Sequence, residues 1–250
     1  MTPPPSGMLL VTPVWKDSTR LAEFGASLAE ELAKGPTDIR WMIADDGSGP
    51  AERERLARLH ATFAETVPEV ALHFADAHHG KGAVVREAWS LDRESGWLAF
   101  VDADGSVSAP DIVALMQRAR GEGTSILAIR KRTAETTIEE SPWRGLAHRL
   151  FLLTARLLLG LRCEDPQCGA KVLRADHYRQ VAPMLREHGL AFDSELLTAL
   201  SANGFTWKEV PVTWIQKHGG KVRPLRDAWG MLGAIWRVRQ RLKRGEFRSP

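Results

Sequence analysis

Through its first half the chain alternates short apolar runs with longer stretches of helical periodicity, and this alternation restricts the fold more than any other feature. MLLVTPV (8–14), IRWMIA (39–44), VALHFA (70–75), LAFV (98–101) and TSILAIR (124–130) read as strands. LAFV is an unbroken apolar run, as in a strand covered on both faces of a parallel sheet. Between the first two, Leu21, Phe24, Leu28 and Leu32 recur at helical spacing over 18–34, with Asp17 or Ser18 as the cap. Further helices are expected over 51–66, Lys81–Leu91 and Asp111–Arg120. Strands separated by helices of this length build βαβ units, so the expectation is an α/β fold with an open, mostly parallel sheet flanked by helices. With 250 residues and 44% hydrophobic content, one sizeable core follows. The expected plan is a loose tail over 1–7, a globular domain over 8–224 and a basic amphipathic helix over 225–250.

In open sheets of this kind ligands bind beyond the carboxyl ends of the strands. Asp17, Asp45, Asp102 and Asp104 all fall there. The run LAFVDADGS (98–106) carries the sharpest signal. Side chains two apart in an extended segment point to the same side, so Asp102 and Asp104 would repel unless a cation sits between them. Hard carboxylate oxygens suit Mg²⁺ or Mn²⁺, ions that usually accompany a phosphate-bearing substrate. The bland alternative is a solvated Asp-Gly turn.

The second half differs. PWRGLAHRLFLLTARLLLGL (142–161) is strongly apolar but interrupted by His148, Arg149 and Arg156, so it is not expected to span a bilayer. It reads as a core helix with snorkelling arginines or as a helix lying on a membrane surface. The last helix, about Leu225–Arg244, places Trp229, Leu232, Ile235 and Trp236 along one side among basic residues. Net charge is only +3, and the basic residues are not interleaved with stacking aromatics, so a nucleic-acid partner is not expected. Cys163 and Cys168 lack partners at zinc spacing and are expected to be reduced thiols. No charged segment followed by a long apolar run opens the chain, so no secretory signal is expected.

Five further segments, in order, are TPVWKDS (12–18), IADDGSG (43–49), HHGKGAVVREAW (78–89), EDPQCGAKVLRAD (164–176) and FDSELLTALSANGFTWKEVPVTW (192–214). Together with the DAD run they resemble the family-2 glycosyltransferases of GT-A fold. The closest resemblance is to the branch with dolichyl-phosphate mannosyl- and β-glucosyltransferases and their bacterial polyprenyl-phosphate relatives. The resemblance covers about residues 8–225 and implies an inverting hexosyltransferase dependent on Mn²⁺ or Mg²⁺.

It implies that Pro13, Val14, Asp17 and Asp45 hold the nucleobase and ribose, with Asp46 and Ser48 left as turn formers. Lys81 and Arg86 would bring positive charge to the diphosphate, and Asp102 and Asp104 would bind ribose and metal. Mannosyl relatives often carry a Gln as further ligand where this chain has Ser106, which favours UDP-glucose over GDP-mannose as donor. Arg130, Arg144 and Lys221 would grip an acceptor phosphate. Asp165, Gln167, Asp193 and Glu195 would border the acceptor, with Asp193 as a base and Asp165 as an orienting residue, or Asp193 and Glu195 as helix N-terminal carboxylates.

The function so implied is transfer of a hexose from a nucleotide diphosphate sugar to polyprenyl phosphate by a peripheral protein at the cytoplasmic membrane face. The alternatives are the same chemistry on a soluble or glycolipid hydroxyl, and a non-catalytic module that binds nucleotide sugar or membrane.

Overall fold

The computed structural model describes residues 7–139, 142–217 and 224–248. Within helices, the side chains of 142–144, 146–149, 151 and 224–229 lie outside the description, as do the sequence expectations that fall on Arg144, Trp229 and Lys221. The order is β1 (Met8–Val14), α1 (Ser18–Lys34), β2 (Ile39–Asp45), α2 (Pro50–Ala64), β3 (Val70–Phe74), α3 (Lys81–Ser90), β4 (Trp97–Val101), α4 (Ala109–Glu122) and β5 (Ser125–Ile129). There follow β6 (Ile138–Glu139), α5 (Pro142–Leu159), β7 (Ala170–Arg174), α6 (Ala175–Val181), a short 3₁₀ turn, α7 (Phe192–Ala202), β8 (Trp207–Pro211), β9 (Trp214–Ile215) and α8 (Pro224–Lys243).

The seven-stranded sheet runs β3-β2-β1-β4-β7-β5-β8, and β6 and β9 make a small second sheet. β1, β2, β3 and β4 are parallel, as the alternation requires. β7 breaks the pattern, running antiparallel to both β4 and β5. The two faces follow from the two-residue period of a strand. Met8 and Leu10, with Trp41, Ile43, Ala99 and Val101, enter the core shared with α1, α2 and α4. Leu9 and Val11, with Met42, Ala44, Leu98 and Phe100, enter the core shared with α3, α7 and α8. Each buried Leu or Phe contributes roughly 1.5–3 kcal/mol, so a sheet lined on both sides is well anchored.

Helix α5 is not a buried core helix. Leu150, Leu153 and Leu157, spaced three and four apart, stand 58%, 54% and 70% exposed, while Ala155 and Leu159 on the other side are buried. In α8, Leu232 and Trp236 face outward, but Ile235 turns inward with Val238. The basic side of α8 is also less free than its sequence implies. Arg237 forks onto Glu187 at 2.9 and 2.7 Å, and Arg241 pairs with Glu195 and Glu246 and donates to the Met184 carbonyl. Among the described residues, no helix is long and apolar enough to cross a membrane.

Candidate functional site

Three loops converge at the carboxyl ends of β1, β2 and β3, and the turn after β2 ties them together. Ser48 Oγ accepts from the Lys16 amide at 2.7 Å. Asp45 accepts from the Ser48 amide at 3.1 Å. Asp46 accepts from the His79 and Gly80 amides at 2.9 and 2.8 Å, and pairs with His78 Nδ1 at 2.7 Å. His78 in turn stacks on Trp15 at 4.0 Å. The sequence assigned Asp45 to ligand and Asp46 to the turn. The structure buries Asp45 at 0% exposure, where its carboxylate accepts from the Ser48 amide and faces Arg53 of α2 at 3.7 Å. Glu52 from α2 caps α1 through the Ser18 amide at 2.7 Å, which leaves Asp17 to pair with Arg20 instead of the helix start. At the end of β1, Val14 is buried and Pro13 half-buried.

The Gly80-Lys81-Gly82 turn starts α3, but the space its glycines leave is filled by the protein itself. A Cβ on Gly82 would lie 2.3 Å from Phe192 Cβ. The Ala83 amide donates to the His188 carbonyl at 3.0 Å, so part of the helix start is already satisfied. Arg86 donates to the carbonyls of Gly82 and Leu185. It therefore braces the 185–188 segment against α3.

Asp102 and Asp104 do share a cleft. Both line a cavity of about 70 Å³ with Ser106, Arg130, Gln167, Gly169 and Trp214. A second concavity of about 420 Å³ adjoins Asp104 and carries Arg20 and Lys217. Asp104 accepts from the Ser106 amide at 2.8 Å, and Arg20 Nη1 stands 3.5 Å from its other oxygen. Asp102 Oδ1 lies 2.7 Å from Lys81 Nζ. Burial first, then the like charges of Asp104 and Asp193, hold the Asp102 carboxyl above the usual carboxylate range in spite of Lys81.

Gly169 gives Asp102 its room, since a Cβ there would fall 2.3 Å from Asp102 Oδ2. A pair of hard carboxylates over a cradle that only glycine permits fits Mg²⁺ or Mn²⁺. Among the described residues no cluster of three metal-ligating side chains occurs, so the remaining ligands of such an ion would be substrate oxygens and water.

The EDPQCGAK segment supports this cleft residue by residue. Asp165, 2% exposed, accepts from Arg130 Nε at 2.7 Å, Nη2 at 2.9 Å and its amide at 3.0 Å. Arg130, expected to grip an acceptor phosphate, thus directs its fork at Asp165 and lies over the Trp214 ring at 5.2 Å. Gln167 bonds Ser194 Oγ at 3.2 Å and reaches the cavity. Burial pushes both the Cys163 and Cys168 thiols up to about 12, so neither is a thiolate at neutral pH.

Lys171 and Arg20 are the residues that sequence reading missed. Lys171 is 0% exposed in β7, donates to the Cys168 carbonyl at 2.9 Å, and ion-pairs with Asp193 at 2.7 Å, off the angle of a hydrogen bond. A lysine inside the apolar strand AKVLR was the available signal, because a buried ammonium needs a carboxylate partner. Arg20, one turn after Asp17, had no comparable signal.

Asp193, 2% exposed, sits between Lys171 and Lys81, the latter 3.5 Å away. That enclosure does not suit a base that must meet an acceptor proton. Glu195, 0% exposed, accepts from the Arg186 and Glu187 amides and from Arg241, and so is structural.

No family model matches the chain. It is 26% identical over 198 residues to the glycosyltransferase AglD of Haloferax volcanii, a match covering 79% of this chain but only 31% of that protein. It is 24% identical over 245 residues to the dolichyl-phosphate beta-glucosyltransferase of Dictyostelium discoideum, covering 93% of this chain and 73% of the relative. With the polyprenol monophosphomannose synthase of Mycolicibacterium smegmatis it shares 28% over 213 residues, or 80% of each. The fold superposes on glucosyl-3-phosphoglycerate synthase from Mycobacterium tuberculosis, crystallised with Mn²⁺, UDP and phosphoglyceric acid, with a TM-score of 0.68 at 15% identity, covering 98% of this chain and 80% of that one.

Proposed function

We propose that this chain, a glycosyltransferase of the GT-A type, moves a hexose from a nucleotide diphosphate sugar, UDP-glucose favoured, to a polyprenyl phosphate at the cytoplasmic face of a membrane. One observation carries the reading: Asp102 and Asp104, at the carboxyl end of a central strand, open into one cavity beside Arg130 and Gln167. Bound there, Mn²⁺ or Mg²⁺ would neutralise the charge that develops on the departing nucleoside diphosphate. Asp102 and Asp104 would hold it, with Ser106 fixing Asp104 through its amide and Gly169 clearing space for Asp102. Lys81 would meet the diphosphate from the start of α3.

On the acceptor side, the enclosure of Asp193 between two lysines favours phosphate over hydroxyl. A hydroxyl acceptor needs a base at hand, whereas a lipid phosphate, with its second pKa near about 6, is already largely ionised and needs only orientation. Arg130, held in place by Asp165 and lining the cavity, would orient that phosphate. The membrane side of the reading rests on Leu150, Leu153 and Leu157 of α5, beside Leu232 and Trp236 of α8, which present apolar side chains to the outside from two helices packed on each other.

The test is transfer from radiolabelled UDP- and GDP-sugars to a short polyprenyl phosphate, with Mn²⁺ or with chelator. Product with Mn²⁺, and none in folded Asp104→Ala protein, is the expected outcome. Product formed equally well under chelation, or by Asp104→Ala, would overturn the proposal. Transfer to sugar hydroxyls but not to lipid phosphate would move the acceptor to the runner-up class.

A further inference from the structure

Beneath the cleft, charges of alternating sign run in a row: Lys171, Asp193, Lys81, Asp102. Lys171 Nζ is 2.7 Å from Asp193 Oδ1, Lys81 Nζ is 3.5 Å from Asp193 Oδ2, and the same Nζ is 2.7 Å from Asp102 Oδ1. Lys171 is wholly enclosed and fixed by the Cys168 carbonyl, so it anchors one end of the row. Lys81 is only 14% exposed at its side chain and rests over the Phe100 ring at 4.5 Å. Its ammonium is thus seated on an oxygen of one of the two cleft carboxylates.

We infer that Lys81 competes with the divalent cation for Asp102, so that the ion binds weakly alone and tightly only when a nucleotide diphosphate arrives with it. The inference rests on the reading that Asp102 and Asp104 hold the ion. An ammonium and a dication on one carboxylate repel each other. A diphosphate relieves the conflict, because its oxygens offer Lys81 a second anion and supply ligands to the ion. Asp193, already within 3.5 Å, steadies Lys81 while it is drawn off Asp102. Metal and nucleotide then bind with positive coupling, and the coupling is reciprocal. Lys81 is in this sense a specificity device, one that keeps the carboxylate pair from filling with a free ion.

The experiment measures Mn²⁺ binding by electron paramagnetic resonance, with and without UDP (GDP in a parallel series). The proteins are the unmodified chain, Lys81→Met, Lys81→Gln and Lys81→Arg, each shown to be folded by circular dichroism. The two neutral variants should bind Mn²⁺ alone about tenfold more tightly, the size expected from removing one nearby positive charge. They should also lose most of the tightening that UDP confers, while Lys81→Arg keeps the original weak binding. If both neutral variants bind Mn²⁺ alone no better than the unmodified chain, while all bind it with UDP and Asp104→Asn does not, the competition is overturned and the metal site stands. If no protein binds Mn²⁺ even with UDP, the metal site falls and this inference falls with it.

Discussion

Asp102 and Asp104 stand two residues apart at the end of β4, and Asp193 and Glu195 stand two apart in the first turn of α7. Written as sequence, the two pairs look alike. At the strand end both carboxylates face one cavity and are partly open, with Lys81 on one oxygen of Asp102 and only a distant arginine at the second oxygen of Asp104. In the helix a step of two turns the side chain about 200°, so the pair divides. Asp193 points into the lysine row under the cleft, while Glu195 points away to the 186–187 amides and Arg241. The secondary structure beneath a spacing decides whether two acids can serve one ligand.

Four measurements can break or sharpen this contrast. The largest effect belongs to the buried pair: Glu195→Ala strands Arg241 and two amides, and should cost about 3–5 kcal/mol of stability. Denaturant unfolding reads this directly, and a loss below about 1 kcal/mol would mean that Glu195 is not the anchor described. Asp104→Ala should do the reverse. Transfer should drop roughly 10²–10³-fold with the melting temperature nearly unchanged, since the side chain is partly exposed and bonds only one amide and a distant arginine. A large stability loss without selective loss of activity would erase the distinction between the pairs.

Gly169→Ala comes third. Its added methyl must push Asp102 aside, so transfer should fall about tenfold, with KM for the donor and the Mn²⁺ requirement both rising. Unaltered kinetics would show that Asp102 does not need its present position. The smallest effect is expected far from both pairs. Leu157→Glu should leave folding and Mn²⁺–UDP binding as they are, yet weaken sedimentation with anionic vesicles about threefold to tenfold. Unchanged vesicle binding would remove α5 from the membrane-facing surface.

Much of the frame was legible because it is written in local periods. The leucine and phenylalanine spacing of 18–34 marks α1 to both its ends, and the MLLVTPV run marks β1. The cleft pair was legible for the same reason, as a strand followed by two acids. The antiparallel insertion of β7 between β4 and β5 was not, since AKVLR gives no sign of its direction or neighbours. Nor were the partners of the motif residues. Asp165 meets Arg130 across 35 positions, and a pattern read along the chain cannot show that a cation expected to await phosphate is already held. The burial of Asp45 has the same origin, in a tight turn whose own amides are the nearest donors. Arg86 is close to the GKG turn in sequence, and its reach toward Leu185 was likewise not legible there.

The chain leaves the main sheet after Ile129 and re-enters it at Ala170, and residues 130 and 165 are clasped side by side through three bonds. Between them the small strand β6 pairs with β9 and the leucine-faced helix α5 packs on α8, so this excursion is tied to the clasp, to β9 and to α8. Changes on the exposed side of α5 leave the strand ends where they are, because the clasp holds residues 130 and 165 together. The leucine face of α5 can thus vary while β4 and its paired carboxylates keep their place.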